Sequence, residues 1–277
     1  MSFRIIILCE NSVGPISGTL GEHGFSALIE PANGEPILFD TGQGATLLHN
    51  ARRMNKDLAK VAKVAISHGH YDHTGGLLPL LQACGPKTVY GHPDIFVPRY
   101  RVKDTGECLA IGLPHDRATL EAAGACFDLS AEFRELAPAV FLTGQVPRLT
   151  EFETGDRGLF HDCAGQDVDT TPDDQSLVLE TDRGLVILLG CCHAGLVNTL
   201  EHVAGQTGRR DVYAVVGGTH LGFCGQKQLE QTIAVLRGAD IKKLAASHCT
   251  GFAASARMSL ELPKEFQVAQ VGYTLEV

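Results

Sequence analysis

No stretch of this sequence is long and apolar enough to suggest a membrane helix. None approaches the roughly 18 consecutive apolar residues that a span requires. The apolar run Ile5 to Cys9 is too short for a secretory leader and is followed at once by Glu10, so it reads as a first β-strand. There is no CxxC pair among the nine cysteines, an odd number. That absence argues against a disulfide framework and for reduced thiols in a cytoplasm. Low-complexity tracts and internal repeats are also missing, which leaves no obvious linker. Positive charge is in deficit: 23 Lys and Arg face 32 Asp and Glu, for a formal net charge of −9. An acidic surface repels phosphate backbones, so the expected partner is a small molecule, with neither nucleic acid nor a membrane. Nothing in the sequence sets an oligomeric state.

What remains is an ordinary globular composition. The 277 residues are 44% hydrophobic and 20% charged, enough to bury a sizeable core. Short apolar runs recur and several end in Gly-rich turns. Phe25 to Glu30 and Pro36 to Asp40 read as an antiparallel pair around Asn33-Gly34. Gln43 to Met54 reads as a helix, Val61 to Ser67 as a strand, and Thr74 to Ala83 as a helix capped by Thr74. Residues 92–170 carry much of the proline and read as a loop-rich insertion over one side of the site, with Ala139 to Leu142 a short strand. Regular alternation returns with strands at Ser176 to Glu180, Leu185 to Leu189, Val212 to Val216 and Lys243 to Ala246. Helices lie near Val197 to Val203 and Gln226 to Leu236, and a last strand near Gly272 to Glu276. The whole chain, 1–277, is read as one layered α/β domain.

The chemistry lies just past the ends of these runs. PILF ends in Asp40, VAKVAIS in His68, GLVILLGCC in His193, VYAVVGGT in His220 and KKLAAS in His248. Side chains at strand ends can converge on one crevice. The turn Ser67-His68-Gly69-His70-Tyr71-Asp72-His73 adds further metal-type donors. A tight turn can point His68 and His70 one way and Asp72 and His73 the other, so one segment can serve two adjacent ions. Asp40 accepts a proton from a ligand histidine, or else caps a following helix. Cys191, Cys192, Cys224 and Cys249 lie near these histidines. Thiolates bind zinc, but packing is the favoured role for each.

Together, SHGHYDHTGG, ILFDTG, GCCHAG and SHCTG resemble the motifs of the metallo-β-lactamase superfamily, HxHxDH first among them. EHGFSALIE, TGQVPR, DDQSLVLET and GGTHL are further similar to its 7,8-dihydropterin-6-methyl-4-(β-D-ribofuranosyl)aminobenzene 5′-phosphate synthase-like branch. The resemblance implies a four-layer αββα sandwich and one or two zinc ions, with iron or manganese as alternatives. Carried over, His68 and His70 bind the first ion, and Asp72, His73 and His248 the second. His193 completes the first site or sits between the two. Asp72 also orients the nucleophile, His220 polarises substrate or steadies a developing anion, and Glu22 and His23 are candidate substrate contacts. One slot departs from the hydrolase pattern: Asp173-Asp174-Gln175-Ser176 precedes the strand where a separate histidine is usual, and His193 follows it. The implied activity is that of a metal-dependent hydrolase or transferase on a small, anionic metabolite such as a pterin or phosphate ester. It would use a metal-activated water or Lewis-acid activation of a leaving group. Two alternatives stand beside it: a diiron-type redox protein, which His70 and the lack of an appended flavin domain argue against, and a non-catalytic metal- or ligand-binding protein.

Overall fold

Alternation within the strands sets the layers. In strand Phe3–Cys9, Ile5 and Ile7 point to one apolar cluster, while Ile6 and Leu8 point to another. In strand Gly184–Leu189, Val186 and Leu188 share that first cluster, while Leu185, Ile187 and Leu189 face a third. Strands apolar on both faces must be covered on both. The computed structural model, which describes residues 1–16 and 18–277, resolves this as two seven-stranded sheets packed face to face with helices outside each. The expected αββα sandwich is the observed architecture.

The first sheet runs, in spatial order, Thr274–Glu276, Phe3–Cys9, Ser26–Pro31, Ile37–Phe39, Lys63–Ala65, Lys87–Gly91 and Ala125–Leu129. The second runs Phe266–Val268, Lys243–Ser247, Val212–Gly218, Gly184–Leu189, Ser176–Thr181, Val140–Leu142 and Arg134–Ala137. Ile37–Phe39 pairs antiparallel with Ser26–Pro31 and parallel with Lys63–Ala65. In the second sheet, Gly184–Leu189, Val212–Gly218 and Lys243–Ser247 are mutually parallel. Their carboxyl ends therefore open on one edge. Helices Leu47–Arg53 and Leu77–Cys84 cover the first sheet, and Leu196–Thr207, Gln226–Gly238 and Gly251–Glu261 cover the second. Among the described residues, no helix is long and apolar enough to cross a membrane.

Several local expectations need correction. The helix expected from Gln43 begins only at Leu47. The backbone N–H groups of Gln43, Gly44, Ala45 and Thr46 instead donate to the Glu22 carboxylate at 3.1, 3.4, 2.8 and 3.1 Å. The helix expected from Thr74 divides into Tyr71–Thr74 and Leu77–Cys84. Thr74 is not its cap, since its hydroxyl donates to the His70 carbonyl. A side chain at Gly75 would come within 2.2 Å of the Gln43 carbonyl, so the HTGG turn can pack there only with glycine.

The stretch 92–170 is more ordered than a set of loops. Ala125–Leu129, Arg134–Ala137 and Val140–Leu142 extend the two main sheets, and Tyr100–Val102, Cys108–Ala110 and Leu159–Phe160 form a small third sheet beside the site. Cys108, in one of its strands, is joined by a disulfide to Cys163, just past Leu159–Phe160, against the expectation that all thiols are reduced. The two lie 55 residues apart, and sequence spacing alone gives no sign that this sheet brings them together.

Candidate metal centre

Two groups of donors meet at the open edge. His68, His70 and His193 form one; Asp72, His73, His248 and Cys191 form the other, with the donor atoms of each group within 4.8 Å of one another. In the first, His68 Nε2 lies 3.0 Å from His70 Nδ1 and 3.3 Å from His193 Nε2. In the second, His73 Nε2 lies 3.2 Å from His248 Nε2, and His248 Nε2 lies 3.2 Å from Asp72 Oδ2. Zinc–nitrogen bonds of 2.0–2.1 Å in a tetrahedron separate the donors by about 3.3–3.4 Å. The observed spacings match the edges of such a polyhedron, so both groups fit a divalent ion.

The protein fixes which nitrogen of each ring is available. A carboxylate only accepts, so the His73 Nδ1–H donates to Asp40 Oδ2, 2.7 Å away. Ser67 donates both its N–H and its hydroxyl to Asp40, each at 2.7 Å. The Ser67 oxygen is then free to accept from His68 Nδ1 at 2.9 Å. Asn11 is oriented by accepting the Gly24 N–H, and it accepts from His248 Nδ1 at 2.9 Å. In these three rings Nδ1 holds a proton toward its partner and Nε2 is the atom turned to the crevice, the orientation that metal-binding histidines need. Asp40 is thus a positioning residue shared between the groups, through His73 directly and through Ser67 to His68. Gly190 makes this possible: a Cβ there would lie 2.2 Å from the Ser67 hydroxyl.

Burial and mutual repulsion keep the first group uncharged. Burial pushes His68 and His193 well below the usual histidine range, with neighbouring histidines adding to it, and pushes His70 down to about 3. At His73 burial also pulls downward, but Asp40 and Asp72 outweigh it and raise the ring to about 9. Asp72 is buried too, yet His73, His23 and His248 hold it well below the usual carboxylate range. The converging neutral imidazoles of the first group favour a cation between them, and in the second group a cation would take the place of the proton on His73 Nε2 beside the Asp72 carboxylate.

The backbone is unusual at the same edge. Asp40, Cys192, His220 and His248 have φ of 59°, 60°, 56° and 51°, in the left-handed region. Each such non-glycine residue costs of order 1–3 kcal/mol and persists only where the surroundings over-determine it. All four lie just after strands, where the chain turns sharply; at Asp40, His220 and His248 the turn brings a side chain to the site, while Cys192 packs among apolar residues.

The structure sorts the remaining sequence candidates. His23 is half-exposed, with Nε2 at 3.2 Å from Asp72, and it lines a cavity of ≈ 250 Å³ over the two groups. Its companion Glu22 is committed to four backbone N–H groups, which leaves little capacity for a substrate contact. His220 lies in the cavity wall, stacked on Phe223, with Nε2 at 3.6 Å from Asp156; burial lowers its pKa, but Asp156 and Cys249 together more than compensate, to about 9. His193 lies with His68 and His70 rather than between the groups. Asp173 and Asp174 do not face the crevice. Asp173 accepts from Gly69 N at 2.8 Å and pairs with Arg99 at 2.6 Å, while Asp174 accepts the Ala194 N–H at 2.9 Å.

Three features escaped the sequence. Cys191 approaches His73 Nε2 to 3.2 Å. Arg101 reaches the cavity from the small third sheet and pairs with Asp156. Fully buried Arg99 bridges Asp169 and Asp173 beneath the HGH turn. Only the cysteine's nearness in sequence to His193 was a usable signal.

Comparison with known proteins agrees with the geometry. Residues 20–187 match the family model described as the metallo-beta-lactamase superfamily. The chain is 30% identical, over 98% of its length and 95% of the relative, to 7,8-dihydropterin-6-methyl-4-(beta-D-ribofuranosyl)-aminobenzene-5′-phosphate synthase of Methanocaldococcus jannaschii. The crystal structure of Tm1679, described as a metal-dependent hydrolase of the beta-lactamase superfamily, superposes with a TM-score of 0.82 at 29% identity, covering 99% of both chains. Zinc-bound PqqB from Methylobacterium extorquens shares the fold at 15% identity and a TM-score of 0.60, over 99% of this chain and 100% of that one.

Proposed function

Because this chain belongs to the metallo-beta-lactamase superfamily, we propose that it is a metal-dependent hydrolase or transferase whose two donor groups each hold one divalent ion, zinc by first preference. The observation that carries this reading is the convergence of His68, His70 and His193 beside Asp72, His73 and His248, at polyhedral spacings and with three ring orientations fixed. A bound ion supplies Lewis acidity, which activates water or a leaving group at neutral pH. The chain's own residues do the rest. Asp40 and Ser67 hold the rings in register. Asp72, a member of the second group, also pairs with His23 at the cavity, where it can orient an attacking group. His220 and Arg101 line the cavity and present positive charge to an anionic substrate.

The substrate is a small anionic molecule, in keeping with the cavity and with a formal net charge of −9 that disfavours nucleic acid, and the setting proposed is the cytoplasm. The synthase named among the relatives favours transfer onto or from a ring-bearing phosphate over simple hydrolysis. A turnover screen with zinc-loaded protein tests this, using a pterin pyrophosphate, phosphodiesters, lactones and thioesters, with His193→Ala and His248→Ala as controls. Turnover of a phosphorylated substrate that both controls abolish supports the reading. Full zinc occupancy without turnover of any class supports a non-catalytic binding protein instead.

A further inference from the structure

Two adjacent cysteines follow strand Gly184–Leu189, and they face different surroundings. Cys192 packs in the outer apolar cluster with Val178 and Leu189, and its sulfur lies 3.4 Å from the Thr199 hydroxyl. That is the ordinary fate of a buried free thiol. Cys191 is equally buried, 3% exposed, yet it belongs to none of the three apolar clusters. Its Sγ faces polar donor atoms: His73 Nε2 at 3.2 Å, with Asp72 and His248 in the same group. It also falls in a further group with His193 and His220, whose donor atoms again lie within 4.8 Å of one another. His193 is one of the first three donors. His220 is 9% exposed; its ring nitrogens make no hydrogen bond, and the Asp156 carboxylate lies 3.6 Å from its Nε2. Cys191 thus shares one cluster of donor atoms with Asp72, His73 and His248, and another with His193 of the first group.

We propose that the Cys191 thiolate bridges the ions held by the two donor groups, in the position between them. The inference rests on the dinuclear reading above. Soft thiolate suits zinc and is tolerated at 2.3 Å from it. On binding, the S–H bond is replaced by bonds from sulfur to the ions, and the proton leaves to solvent.

Cobalt(II) is the probe that separates this proposal from the reading beneath it. Metal-stripped, folded protein is titrated with cobalt(II) and followed by optical and electron paramagnetic resonance spectra. The expected result is two equivalents bound, a near-ultraviolet sulfur-to-cobalt charge-transfer band, and magnetic coupling between the two ions. Cys191→Ser should lose the band and the coupling while keeping the visible bands of histidine-bound cobalt, and its affinity for the second ion should fall by at least about 10-fold. Cys191→Asp restores an oxygen donor, so it should hold two ions without the sulfur band. Cys249→Ser should keep band and coupling. Two equivalents bound with no sulfur band overturn the bridge and leave the dinuclear reading intact. A sulfur band without coupling overturns the bridge as well, placing the thiolate on one ion. No cobalt uptake by the wild-type protein overturns both.

Discussion

The two sheets build their shares of the crevice differently. The first sheet concentrates its donors: the turn 68–73 supplies residues to both groups, and Asp40 and Ser67 tie them together from below. The second sheet disperses its donors, with His193, His220 and His248 each following a separate parallel strand. The first half gains its order from hydrogen bonds centred on Asp40 and Ser67, the second from the alignment of its parallel strands; strained backbone occurs at strand ends in both. A change in the turn should therefore be felt by both ions, and a change at one distant strand end by only one.

The largest effects test that contrast. His193→Ala and His248→Ala should each reduce bound zinc from two equivalents to one. His68→Ala should weaken both ions, because Ser67 and Asp40 connect its ring to His73. Each variant should lose at least about 10³-fold in turnover, the several kcal/mol that a metal ion contributes. Metal content with activity checks this, and a His68→Ala protein that keeps its second ion at wild-type affinity would break the contrast.

Next in size is Arg99→Ala. It leaves Asp169 and Asp173 buried without their shared cation, beneath the turn. Breaking a buried ionic group by removing one partner costs about 3–5 kcal/mol, readable from denaturant midpoints. A loss below about 1 kcal/mol would mean that water reaches these carboxylates.

Asp174 gives a pH signature on the second-sheet side. Burial raises its carboxyl from 3.8 to about 6, against the Ala194 and His193 N–H groups that lower it. The folded state then binds its proton more tightly than the unfolded state. This contribution is fully present below about pH 4 and is lost as pH rises through 6, amounting to on the order of 3 kcal/mol. Asp174→Asn should remove that slope and gain stability at pH 7 relative to wild type. Parallel pH-stability curves for the two proteins would contradict it.

Smaller effects separate positioning from ligation. Asp40→Asn should weaken zinc by about 10–100-fold, with both ions affected and His73 most directly. Competition with a chromophoric chelator reads this. Arg210→Ala, which removes an exposed pair with Glu201, should change stability by less than about 1 kcal/mol.

The sequence exposed the strand-end histidines, because short apolar runs terminating in a ligand-type residue are local patterns. It also exposed HGHYDH, and through family resemblance the αββα layering. Asp40 was legible as the acceptor for a ring proton because it too ended an apolar run. What it concealed was long-range. Glu22 resembles a free acidic contact until the chain returns at 43–46 to cover it. Arg99 reads as a surface charge until Asp169 and Asp173 close around it. Cys191 is indistinguishable from Cys192 in sequence, and only the strand's register decides which of the two faces the crevice. The disulfide between Cys108 and Cys163 was hidden for the same reason, since a three-stranded sheet assembled from separate segments sets their distance.

The most direct measurement is metal content per chain, by inductively coupled plasma mass spectrometry, on untagged protein purified without chelator or added metal. The expected result is near two equivalents of a divalent transition metal, zinc foremost, falling to one in His193→Ala and one in His248→Ala. Protein that is folded, holds no metal and takes up none when zinc is added would contradict the proposed centre outright.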